Sequence, residues 1–161
     1  MRIRLTRLTN DRHRFEVVRD DGSREMREME TRSTLLHDLV HYAVETEAGL
    51  DASFYGRLAN GATYEALTTE PAAGAEAMQT ENVVVRVQGI AKNDADRIDA
   101  SGLAEAIAAG FRASGQEPPE WLTADLIARV RERLRRVLGQ WRATPFHDTL
   151  ELEFPARRSR D

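Results

Sequence analysis

None of the 161 residues is cysteine, which excludes disulfides, thiolate nucleophiles, iron-sulfur clusters and every zinc site with a sulfur ligand. Strong metal ligands are then restricted to His, Asp and Glu. Lysine occurs once, at Lys92, so the rest of the 23 basic residues are arginine. With the abundant alanine this reads as a GC-rich bacterial coding sequence, which lowers the weight of any one arginine. Long apolar runs are missing too: nothing approaches the roughly 18 residues of a membrane span, and the N-terminus alternates from Met1 onward instead of opening an apolar leader. The expected location is therefore cytoplasmic. A net charge of -4 with 31% charged residues argues against a basic nucleic-acid-binding surface. Gly56, Gly61, Gly74 and Gly89 match neither a P-loop nor a dinucleotide fingerprint, and no Gly-x-Ser-x-Gly elbow occurs. Tyr42, Tyr55 and Tyr64 are too few for a stacking platform and suit core packing.

The length fits a single domain, residues 1–161, able to bury a core without disulfides or a structural metal. Residues 1–30 read as strands. Ile3 and Leu5 alternate with arginines, Phe15 and Val17 point inward from a second strand, and Asp20-Asp21-Gly22-Ser23 supplies a hairpin turn into a third. The spacing of Met26 and Met29 breaks the alternation and predicts a bulge or an early helical turn there. From Ser33 the period becomes helical and stays so through residue 142. Leu35, Leu36, Leu39, Val40, Ala43 and Val44 form one stripe, with His37, Asp38, His41 and Glu45 on the polar side. Gly49 ends this helix, and Asp51 can cap a short one through Leu58. Residues 75–91 read as helix despite the β-branched Val83-Val84-Val85-Arg86-Val87, which alone would favour a strand. Ser101 caps a further helix, and Thr123 caps the most amphipathic one. Its arginines split between two borders, Arg129, Arg133 and Arg136 on one and Arg131, Arg135 and Arg142 on the other, as stems covering apolar surface do. Residues 147–154 alternate again as a final strand, and 155–161 read as a frayed tail. The order predicts an α+β fold: a small antiparallel sheet of three N-terminal strands and one C-terminal strand, with helices on one face.

The chemistry concentrates on His37 and His41. One helical turn apart, they can offer imidazole nitrogens to one divalent ion such as zinc. Asp38 follows the first histidine where a zincin helix carries its glutamate base. Glu45 lies two turns from His37 and reaches the pair poorly. A third ligand must come from elsewhere, with Asp51, Glu47, Glu30 or His147 as candidates. The competing expectation is an exposed helix face on which His41 and Glu45 form an ordinary i,i+4 pair.

His37-Asp38-x-x-His41 resembles the H-D-x-x-H core of the zinc-binding ubiquinone-biosynthesis scaffold proteins. That family places a Glu twelve residues after its second His, where this chain has Ser53. The wider run from His37 to Phe54-Tyr55-Gly56 is similar to a family of small uncharacterised bacterial proteins, a likeness that implies no activity.

The sequence thus favours a cytoplasmic binding or assembly module without catalysis. The alternative is a divalent-metal-dependent enzyme, a hydrolase, built on the His37/His41 helix, with Asp38 or Glu45 as base or orienting group. The valine run with Met78 and Ile90 is apolar on more than one helical face, which predicts a homodimer.

Overall fold

A computed structural model describes residues 1–70, 74–92 and 98–155. Three strands open the chain, β1 (Arg2–Arg7), β2 (Arg12–Val18) and β3 (Arg24–Glu30). Helices α1 (Thr31–Ala48), α2 (Phe54–Ala59), α3 (Tyr64–Thr69), α4 (Ala75–Lys92), α5 (Ala100–Ala113) and α6 (Ala124–Ala143) follow, and β4 (Thr149–Glu153) returns last. The sheet is antiparallel throughout, in the order β3-β2-β1-β4. This is the expected α+β architecture.

The strands obey the period of two. Ile3, Leu5, Phe15, Val17, Met29 and Leu152 are buried toward the helices. The opposite face is open and carries a ladder of cross-strand charge: Arg4 pairs with Glu16 on one side and Glu151 on the other, and Arg14 with Glu28. The bulge expected around Met26 and Met29 is absent, since β3 runs in unbroken register from Arg12↔Glu30 to Val18↔Arg24. Strict alternation holds instead, with Met29 buried and Met26 61% exposed on the open face. The apolar signal of Met26 carries no burial.

Helix α1 is the axis of the domain. Glu30 caps it by accepting from the Arg32 and Ser33 amides, and Gly49, with φ of 68°, ends it in the left-handed conformation that L side chains resist. Every residue from Asp38 to Glu45 is buried, because the sheet, α2, α4 and α6 enclose the helix from several sides. The expected polar face is therefore a second interior face, and the reading of Asp38, His41 and Glu45 as solvent-side groups is corrected.

Other boundaries shift. Asp99, not Ser101, caps α5, through the Gly102 amide. Ser53, not Asp51, occupies the cap position of α2. The sequence pattern does not foretell α3, a single short helix whose Thr63 cap accepts from Ala66. The valine run is helical as expected, and Val83, Val84 and Val87 are buried within this chain's own core. What remains outside is Val85, 54% exposed, and Met78, 47% exposed. Val84 is a core residue, so a charge there would break the fold before it tested a dimer. The tail residues 156–161 and the Ile90 side chain lie outside the described residues. Among those described, no helix is long and apolar enough to cross a membrane.

Candidate metal centre

The middle of α1 faces α4, and that packing creates the site. His37 and His41 project from the same side of α1, their rings in edge contact with centroids 4.7 Å apart. Across from them α4 supplies Glu81. Its Oε2 lies 2.9 Å from His41 Nε2, and its Oε1 lies 3.7 Å from His37 Nε2. One ligand atom from each of the three residues falls within 4.8 Å of the others. Two ligands of one zinc ion lie at most about 4 Å apart, twice a bond length of about 2.1 Å. The trio needs to close by less than an ångström or so, and Glu81 has a flexible, 45% exposed side chain with which to do it.

The far nitrogens of both rings are also held. His41 Nδ1 donates to Glu45 Oε1 at 3.0 Å, and His37 Nδ1 donates to Gln88 Oε1 at 2.9 Å. Each acceptor fixes a ring orientation and directs Nε2 at Glu81. This is the arrangement in which outer carboxylates and amides prepare histidines for a metal.

Glu45 is fully buried, and its second oxygen accepts from the Tyr55 and Gly56 amides at 2.8 and 3.2 Å. Those amides belong to the first turn of α2, where a carboxylate is favoured by unpaired N–H groups. Gly56 also admits a close approach of the Asp51 backbone: a Cβ there would sit 2.4 Å from the Asp51 carbonyl carbon. Phe54-Tyr55-Gly56 thus cradles Glu45, while the Phe54 ring packs on His41 with centroids 5.5 Å apart.

Burial would depress His41, but hydrogen bonds to Glu45 and Glu81, reinforced by their charges, outweigh it and raise His41 to about 9. The imidazolium lies between two carboxylates. Glu81 is lowered by the His41 hydrogen bond, whereas burial raises Glu45 against the same partner. Asp38 is held up to about 7 by burial, and among the described residues its carboxyl accepts one hydrogen bond, from the Tyr64 hydroxyl at 3.3 Å. Its carboxyl lines the same opening as the trio, a cleft of about 340 Å³ walled by Phe54, Tyr64, Leu67 and Ala77, with Arg57, Thr68 and Glu70 also on its surface.

The structure brings His37 and His41 together as the sequence suggested and supplies Glu81, which sequence reasoning missed, as the third group. Glu45 sits behind His41 as an orienting acceptor, apart from His37. Of the other candidates, Glu30 caps α1, Glu47 pairs with Arg129 and Arg133, Asp51 is exposed at the start of α2, and His147 is exposed in the turn before β4 with φ of 68°. None of these four joins the trio. The chain matches no protein-family model, no curated protein and no solved structure.

Proposed function

We propose that the chain is a divalent-metal-dependent hydrolase of a small molecule, with His37, His41 and Glu81 as ligands. The observation that carries this reading is the paired orientation of the two imidazoles, each with Nδ1 engaged by an acceptor and Nε2 turned to one carboxylate. Three protein ligands leave coordination positions for water and substrate, the layout of catalytic rather than structural sites. A bound ion would supply Lewis acidity and a water acidified toward neutral pH. Glu45 orients His41, and Asp38, which lines the cleft, is the carboxyl group available to move a proton. The ligand set contains no sulfur and suits zinc, manganese, iron(II) or cobalt.

Zinc titration of tag-free protein by calorimetry tests the assignment. About one equivalent is expected, with binding lost in His37→Ala and Glu81→Ala while both variants keep their helical circular dichroism, because His37 and Glu81 are partly exposed. Binding displaces the His41 Nε2 proton, so affinity should fall as pH drops. No uptake at micromolar zinc would sink the proposal.

A second reading is favoured by one distance. His41 Nε2 already meets Glu81 at 2.9 Å, so the cluster is complete as an ionic clamp between α1 and α4 without any ion. The protein would then be a binding or assembly module without chemistry. Zinc would leave its thermal stability unchanged, and Glu81→Ala would lower it.

A further inference from the structure

The other arginines that are half-buried or more, Arg131 included, each make an interaction. Arg4 and Arg14 pair with glutamates of the sheet, Arg19 with Glu25 and two carbonyls, and Arg133 with Glu47. Arg7 reaches the Thr144 carbonyl and lies over Phe146, and Arg27 lies over the Tyr64 ring. Arg57 differs. It is half-buried on α2 and lines the cleft, yet among the described residues its guanidinium has no carboxylate, carbonyl or ring partner. Glu70 lines the same cleft without pairing to it.

A guanidinium offers a rigid fork of donors shaped for a carboxylate or phosphate, and leaving it half-desolvated without an acceptor is unfavourable. The same cleft that holds Arg57 and the histidine trio is also lined by the apolar side chains of Phe54, Leu67 and Ala77. The volume of about 340 Å³ falls within the range of small-molecule sites. We propose that the cleft takes a small carboxylic acid that binds through two ends. One oxygen-bearing end reaches the metal at His37, His41 and Glu81, and a distal carboxylate is clamped by Arg57, with a short apolar body against Phe54 and Leu67. This rests on the metal reading and adds the substrate class and the residue that selects it.

Cobalt(II) replaces the unidentified ion as a visible probe. Tag-free protein and the Arg57→Gln and Arg57→Lys variants are first titrated with cobalt. The loaded proteins are then titrated with succinate, glutarate and adipate, with the matching neutral diamides, and with inorganic phosphate, following the cobalt absorption bands. The proposal expects one dicarboxylate to perturb the bands, the diamides to bind about tenfold or more weakly, and Arg57→Gln to lose a similar factor, with Arg57→Lys partly restoring it. Equal affinity for acid and diamide, or equal affinity in wild type and Arg57→Gln, overturns the carboxylate assignment while the metal site stands. A preference for phosphate over every dicarboxylate overturns it in favour of a phosphate ester. If cobalt does not bind at all, the metal reading fails and this inference falls with it, an outcome separate from the others.

Discussion

Two histidines are buried in this molecule, and their surroundings set them apart. His13, on β2, is buried beside Trp141, with Thr31 Oγ1 at 3.0 Å from Nδ1 and, among the described residues, no partner for Nε2. Burial lowers it to about 4. His41, on α1, is almost as enclosed but stands between Glu45 and Glu81, and it is raised to about 9. Burial alone therefore does not decide whether an imidazole is charged; the acceptors do. One ring is a core residue with a weak polar link, and the other is the centre of a buried ionic network.

The sharpest way to break this contrast is at Glu45. Glu45→Ala would leave His41 and the Tyr55 and Gly56 amides without their buried acceptor, a loss on the order of 3–5 kcal/mol, read by chemical denaturation. Glu45→Gln keeps the size but removes the charge, and the His41 pKa, followed by NMR, should drop toward that of His13. If Glu45→Ala is as stable as wild type, the buried network is not what holds α1 to α2.

The next test uses pH. His13 is lowered in the fold, so below about 6.5 the unfolded chain takes up a proton that the folded chain refuses. Its contribution to stability is whole above about 6.5 and is lost as pH falls toward about 4, on the order of 3 kcal/mol in all. Asp38, raised to about 7, acts in the opposite sense over much of the same window, since its folded form prefers the proton and stability falls as pH rises. The measurement is therefore the difference between wild type and His13→Leu, which should narrow in favour of the variant as pH drops. His41 has the opposite sign to His13: its contribution is complete below about 6.5 and is lost as pH rises through about 9. A pH-independent difference for His13→Leu would mean that the ring is protonated or hydrated in the fold.

Smaller effects are expected at two glycines, Gly56 beside Glu45 and Gly139 on the exposed side of α6. Gly56→Ala forces a methyl group against the Asp51 backbone and should cost about 1–3 kcal/mol, with Glu45 losing an amide partner. Gly139, exposed on α6, has open space where its Cβ would be. Gly139→Ala should gain roughly 0.5–1 kcal/mol from helix propensity alone. Thermal melts rank the two, and the same sign for both would show that the close approach at Gly56 relaxes easily.

The strands, α1, α4 and α6 were legible because period two and period 3.6 are local signals, and the valine run obeyed its helical flanks. The site was half legible for the same reason. His37 and His41 are neighbours through helix geometry alone, whereas Glu81 joins them through the rotation of α4 against α1, which depends on how Val83, Val84 and Val87 seat in the core. No spacing in the chain encodes that angle. Glu45 misled for a related cause: a glutamate beside an apolar stripe normally faces water, and it is the amides at the start of α2 together with His41 that make its burial tolerable.

The open face of the sheet has a practical use. Since the sequence contains no cysteine, Met26→Cys would place a single thiol on β3, turned away from the helices and cleft, where the native side chain is 61% exposed. A fluorophore or spin label attached there would report tumbling, association with a second copy and metal-driven changes in shape, without entering the cleft itself.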